Sequence, residues 1–160
     1  MQERCRNVWL AVSGIVISDQ GEWLVVKKRY SGLKGVWSFP AGFVKENETV
    51  DEAVIREVLE ETGIATEVEG IVGLRSGVLK GEISDNMLLF RLKPLNMEVQ
   101  AQFEELYEAK FVQPEELLKE GKQSILLEEL ISYNLEALQQ VRTGLNPGDH
   151  FGYTSYKLFV

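Results

Sequence analysis

The chain has 160 residues, 44% of them apolar, with 25 acidic against 17 basic side chains and a formal net charge of −8. That length buries one core and leaves little room for a second, and the acidic balance disfavours stable binding to nucleic-acid backbones or anionic membranes. One cysteine, Cys5, and one histidine, His150, exclude zinc fingers, a disulfide framework and Cys/His catalytic pairs by count.

No internal repeat, long linker or low-complexity tract divides the sequence, so we read a single domain over residues 1–160. The start MQERCRN is charged, and the first apolar run, Val8 to Ile17, is too short and too interrupted to span a bilayer. The expected setting is cytoplasmic. VWLAVSGIVIS, from Val8 to Ser18, is β-branched and bounded by the turn-like DQGE, after which WLVVKKR resumes at Trp23; this pattern predicts a hairpin. Lys27, Lys28 and Arg29 close the second strand, either as an exposed basic end or as contacts to phosphates. After the loop YSGLKG, VWSFPAG forms a short strand with Trp37 and Phe39 on one face, where core packing competes with base stacking.

The next stretch, Gly42 to Ile64, concentrates the acidity: Lys45 to Glu61 holds seven acids against two bases and so contributes −5 of the charge. Thr49 followed by Glu52 is a capping-box pattern, which predicts a helix starting near Val50, and Gly63 fits the left-handed residue that ends one. At about 100° per residue, Glu57, Glu60 and Glu61 fall on one arc while Val54, Ile55, Val58 and Leu59 fall on the other. A run of charge is ordinarily a solvated face. Three carboxylates on one arc nevertheless repel by tenths of a kcal/mol or more per neighbouring pair unless a cation sits among them, and oxygen-only ligands favour Mg2+ or Mn2+.

The spacing is also specific. The stretch reads G-x5-E-x7-R-E-U-x-E-E-x-G-U, with Gly42, Glu48, Arg56, Glu57, Glu60, Glu61 and Gly63 at the fixed positions and Val58 and Ile64 at the apolar ones. Chance would meet seven fixed positions at a given start about once in 10^8 or more. The stretch resembles the Nudix box, and the match is complete.

Beyond it, ATEVEGIVGLRSGV reads as one long or bulged strand interrupted at Gly70 and Gly73, and LKGEISD turns the chain into NMLLFRLKP. QFEELYEAKFVQPEELLK is similar to the region after the box in Nudix enzymes, where an acidic loop precedes a short strand and a proline-started helix; Glu105 and Glu108 match its acidic positions. From Ser124 to Val141, Leu127, Leu130, Ile131, Leu138 and Val141 recur at helical spacing, so a helix over about 124–142 should cover one face of the sheet. The tail NPGDHFGYTSYKLFV is expected to pack on the domain, as an edge strand or over the cleft.

The resemblance covers about Val8 to Leu118. It implies an α/β (α+β) fold, an α/β/α sandwich with a central mixed β-sheet, and a metal-dependent hydrolase that cleaves the diphosphate of a nucleoside diphosphate linked to a further moiety X. By resemblance, Glu57, Glu60, Glu61 and the backbone carbonyl of Ala41 hold Mg2+ or Mn2+, Glu48 and Arg56 lock the loop to the helix, Gly42 and Gly63 permit the turns, and Glu105 supplies a further ligand or the general base. X is read outside the box, and Arg29, Trp37, Phe43 and Arg75 are the candidates for contacting substrate, with Lys27, Trp9 and Tyr30 behind them. The other reading is a binding module that senses a nucleotide or ADP-ribose without cleaving it; such relatives often lose box glutamates, and none is missing here. An isoprenyl diphosphate isomerase would need a catalytic cysteine and histidine ligands that this chain lacks. No membrane partner is expected, and a homodimer is left open.

Overall fold

The structure is a computed structural model and describes residues 6–159. In chain order the elements are β1 (Val8–Val16), β2 (Trp23–Lys28), β3 (Trp37–Ser38), β4 (Ala41–Phe43), α1 (Val50–Thr62), β5 (Thr66–Leu79), β6 (Ile83–Pro94), β7 (Leu106–Val112), α2 (Pro114–Glu120), α3 (Ile125–Ile131), β8 (Val141–Arg142) and β9 (Leu158–Phe159), with a short 3-10 turn at Asp149–Phe151. The fold is a mixed α+β sandwich, as expected.

Its centre is β1. Every residue from Ala11 to Val16 is buried, so the strand needs a neighbour at each edge and a layer on each face. It has β6 beside it in parallel and β4 antiparallel, in a mixed sheet ordered β4-β1-β6-β5. On one face Val12, Val16, Phe90 and Leu92 pack with Ala53, Val54 and Val58 of α1. On the other, Ile15 and Leu89 join Trp23, Val25, Trp37 and Phe39 against Leu117 of α2 and Leu127 of α3.

Both edges of β1 being taken, β2 has nowhere to pair with it, and the predicted hairpin does not form. The DQGE turn is real, since the Ser18 hydroxyl accepts from the Gln20 and Glu22 amides. Only Ile17 and Trp23 bridge across it. The chain then changes sheets: β2 pairs with β3 and β7 in a separate antiparallel sheet ordered β3-β2-β7. The long strand behaves as its glycines suggest, with β5 shifting register against β6 between Val68 and Gly70 and between Ile71 and Gly73.

The helix predicted over 124–142 stops at Ile131. The Ser132 hydroxyl donates to Glu129 O at 2.8 Å and the Asn134 side chain accepts from the Glu136 amide at 2.9 Å; such local bonds offer the backbone an alternative to the next helical turn. Arg91 then draws the segment onto β6, donating to Leu135 O at 3.2 Å and pairing with Glu136 at 2.7 Å. Leu135 fills the core, Gln139 exchanges two backbone bonds with Ile71, and Val141 enters β8. The tail returns to pair β9 with β8, sets Phe159 edge-on to Phe90 at 5.8 Å, and places Lys157 Nζ 2.7 Å from Asp51 and 2.9 Å from Thr49 at the start of α1. It lies on the helix, not over the acidic cavity described below.

The helix α1 runs Val50–Thr62, as the capping pattern requires: the Glu52 carboxylate accepts from the Thr49 amide at 2.8 Å, and Gly63, at φ 73°, closes the other end. Loop 44–49 is tied to it by a clasp. Glu48 accepts from the Lys45 amide at 2.7 Å and takes both prongs of Arg56, Nε at 2.9 Å and Nη2 at 2.6 Å. The guanidinium beside it, set against the cost of partial burial, holds the Glu48 carboxyl down at about 2.

A carboxyl depressed in the folded state stabilises the fold fully above its ordinary range, and that contribution is lost as pH falls through 4.5 towards 2. Glu48→Gln should therefore cost about 1–3 kcal/mol at pH 6, the scale of a charge-assisted hydrogen bond, and should flatten the loss of stability between pH 6 and pH 3. Urea unfolding at the two pH values measures both effects; a variant as acid-sensitive as the wild type removes Glu48 from this role.

Candidate active site

The acidic arc of α1 is only partly solvated: Glu60 is exposed, but Glu57 and Glu61 turn inward. The residues of the helix that are buried are Ala53, Val54, Val58, Glu61 and Thr62, whereas Leu59, expected on the inner arc, is 48% exposed. Glu61, only 3% exposed, thus belongs to the buried face. Carboxylates turned inward need cations, and three cations meet the arc, two of them at Glu57 and Glu61.

Arg56 is the first. Its five N–H groups all find acceptors: Nε and Nη2 on Glu48, Nη2 also on Phe43 O at 3.1 Å, and Nη1 on Glu57 at 2.6 Å and Glu60 at 3.2 Å. The Glu57 carboxylate lies so close over Gly42 that a Cβ there would collide with it. This is why the position is a glycine: no side chain leaves room for the carboxylate. Lys45 is the second cation, 3.8 Å from Glu60.

Lys28 is the third, and its direction comes from strand alternation: successive side chains of β2 point to opposite faces. Lys27 pairs with Glu108 and Lys28, past the extra residue Tyr107 of β7, with Leu106. Lys27 Nζ lies over the Trp37 ring, 4.3 Å from its centroid. Lys28 Nζ turns instead to Ala41 O at 3.3 Å and Glu61 Oε1 at 3.4 Å. Burial pushes the Glu61 carboxyl up to about 7, with Lys28 working against the rise and Glu57 adding to it.

Two cavities meet these groups. An acidic one of about 390 Å³ is lined by Lys45, Glu57, Glu60, Glu61, Gln102 and Glu105. Glu105 reaches it because the loop before β7 is docked on the end of α1, the Gln100 amide bonding Thr62 O and the Gln102 amide Glu61 O. The second, of about 340 Å³, has Lys28, Ala41, Ser13, Ser38 and Arg75 on its walls together with Phe39, Met87 and Leu126.

The structure therefore brings Glu57, Glu60, Glu61 and Glu105 together around one space, with the Ala41 carbonyl linked to Glu61 through Lys28. Among the described residues no three carboxylates close into a preformed metal cluster; Glu57 and Glu60 share Arg56, whereas Glu61 meets Lys28. The donor set still suits a hard divalent cation: the oxygens are carboxylate and carbonyl, and Glu61 Oε2 is buried with no hydrogen-bond partner.

The expected substrate contacts scatter. Arg75 lines the second cavity, with Nη1 on Asp85 at 2.8 Å. Trp37 takes the core-packing role, one of the two expected of it: it is 1% exposed, and its indole N–H donates to Glu120 at 2.8 Å, so the expectation that it contacts substrate is corrected. Arg29 is committed to Leu106 O at 2.9 Å and to the Tyr107 ring, and neither it nor Phe43 lines either cavity. Phe43 makes an exposed edge-to-face pair with Trp9 at 5.6 Å. Tyr30 is exposed, and Glu108 stands exposed on β7, outside the acidic cavity. Sequence reasoning missed the roles of Lys45, Gln102 and Ser38. For Lys28, one of three basic residues at a strand end, alternation separates it from Lys27, but which face meets the glutamates depends on the strand order, which no local pattern carries.

Comparison with known proteins adds three findings. Residues 8–131 match the family model of the NUDIX domain. The chain is 31% identical over 154 residues to Nudix hydrolase 2 of Arabidopsis thaliana, covering 93% of this chain and 52% of that protein. It is 42% identical over 67 residues to the ADP-ribose pyrophosphatase of Methanocaldococcus jannaschii, covering 42% of this chain and 39% of that one. The chain thus spans about half the length, or less, of these curated relatives. The crystal structure of a NUDIX hydrolase from Nitrosomonas europaea superposes with a TM-score of 0.69 at 24% identity, over 82% of this chain and 72% of that one, a likeness of fold. With the box complete, its helix and loop assembled and the family model matching most of its residues, this chain belongs to the Nudix family.

Proposed function

We propose that this chain is a pyrophosphohydrolase that uses Mg2+ or Mn2+ to cleave the diphosphate of a nucleoside diphosphate derivative, an ADP-ribose-like compound or a nucleoside triphosphate, in a cytoplasmic setting. The observation that carries the reading is Glu61: a buried carboxylate with one unpartnered oxygen, beside Glu57, on the wall of a cavity that Glu60 and Glu105 complete. The name of the M. jannaschii relative leans the substrate towards ADP-ribose.

A diphosphate is doubly anionic, so water attacks it only where charge is neutralised and the nucleophile activated; a bound divalent cation supplies both. Glu57, Glu60, Glu61 and the Ala41 carbonyl would hold that cation. Arg56 fixes the directions of Glu57 and Glu60 through one guanidinium, and Glu48 fixes Arg56. Glu105, which lines the same cavity, would take the proton of the attacking water as general base. Water adds to one phosphorus, the bond from that phosphorus to the bridging oxygen breaks, and two phosphate monoesters leave when the substrate is an ADP-ribose-like compound.

Glu61→Gln keeps the shape and removes the charge. Turnover with Mg2+ should fall by about 10^2 or more, the scale for losing a charge-stabilising group, and Mn2+ binding should weaken with it. Comparing released products from ADP-ribose, sugar nucleotides, dinucleotides, triphosphates and capped RNA tests both the chemistry and the substrate class. Full turnover by Glu61→Gln on every compound that the wild type cleaves would refute the assignment; cleavage confined to a non-nucleotide diphosphate would refute the nucleotide alone.

Arg56→Lys keeps the positive charge but loses the planar fork and two of the five donors. Turnover and Mn2+ affinity should both drop while the helix content stays. Wild-type values for both in that variant would show that the fork does not orient the carboxylates.

A further inference from the structure

We propose that Lys28 exchanges between the metal-binding oxygens and the phosphates of the substrate, so that cation and substrate are taken up cooperatively. This rests on the metal-site reading given above. Lys28 Nζ stands 3.3 Å from Ala41 O and 3.4 Å from Glu61 Oε1, the very oxygens that the site would offer a divalent ion. An ammonium and a divalent cation repel each other and compete for the same lone pairs, so the incoming ion drives Nζ away.

Its destination follows from what surrounds it. Lys28 already lines the second cavity, and the side chain is a flexible stem bearing a compact charge. No carboxylate lines that cavity, and Arg75, whose Nη1 already meets Asp85 at 2.8 Å, also lines it. A further cation moved into a cavity that no carboxylate lines calls for an anion. The cavity is also short of hydrogen-bond partners: Ser38 Oγ, on a residue only 4% exposed, and Arg75 Nε are both buried without one. The non-bridging oxygens of a diphosphate are acceptors of the kind that Lys28, Ser38 and Arg75 lack. Cation and substrate then each lower the cost of binding the other, and the coupling must be reciprocal.

The test is a Mn2+ titration, read by electron paramagnetic resonance of the free ion, on wild type, Lys28→Met and Glu61→Gln. Each is measured with and without α,β-methylene-ADP, whose bridging carbon prevents cleavage of the diphosphate. Without the nucleotide, Lys28→Met should bind Mn2+ about tenfold or more tighter than wild type, the scale of one charge-assisted hydrogen bond that no longer has to be broken. It should bind the nucleotide more weakly, and Mn2+ should lose most of the enhancement of nucleotide binding that it gives the wild type. Unchanged or weaker Mn2+ affinity in Lys28→Met, or coupling as strong as in wild type, overturns the exchange. A merely structural lysine would weaken both ligands, and a circular dichroism spectrum matching wild type excludes misfolding. Absence of Mn2+ binding by wild type, or undiminished binding by Glu61→Gln, overturns the metal site itself and is distinguishable from failure of the exchange alone.

Discussion

Carboxylates facing the inside of a protein are tolerable only where cations meet them, and the site in this chain is built on that constraint. Arg56 does most of it, joining Glu48 on the loop to Glu57 and Glu60 on the helix through one rigid group. The loop cannot drift from α1 without leaving a partly buried guanidinium short of its partners, and the helix cannot rotate without separating Glu57 from it. Gly42 is the steric complement, leaving open the volume that the Glu57 carboxylate fills. Spacing in the sequence and geometry in the fold are therefore the same fact, because a single guanidinium has to reach the loop, the preceding strand and two turns of helix at once.

That coupling explains which parts of the molecule were legible in the sequence. The limits of α1 were, since caps are local: Thr49, Glu52 and Gly63 are read within a few residues of the helix they bound. The bulged course of β5 was also legible from Gly70 and Gly73. What failed was non-local. Nothing in Val8–Lys28 tells that β6 claims the edge of β1 that a hairpin would need. The apolar recurrence from Leu127 to Val141 is present, but Ser132 and Asn134 break the helix and Arg91, far earlier in the chain, captures the remainder.

The site itself was half legible. The box glutamates could be named because their spacing is specific, yet the simple division of α1 into a wet acidic side and a dry apolar side was inverted at Glu61 and Leu59. Helical periodicity assumes that charge faces water, and it fails where cations from other elements meet the helix. Outside the box, aromatic character proved a poor guide: Trp37 went to the core and Phe43 to the surface, while a lysine and small serines line the space beside the glutamates. Reading those positions requires the strand order.

The parallel pairing of β1 with β6 sets Val8 against Ser84 and Val16 against Leu92, and the whole box lies in the chain between them. Closing so long a loop is slow relative to forming local structure. During synthesis, the central strand has only the three residues of β4 to pair with until residues past 92 have left the ribosome, and the loop carrying Glu105 follows later still. The helix can form early, but its glutamates then face water and repel each other. Enclosure of the glutamates thus arises late in assembly, and a nascent or truncated chain that exposes the complete box has none of it.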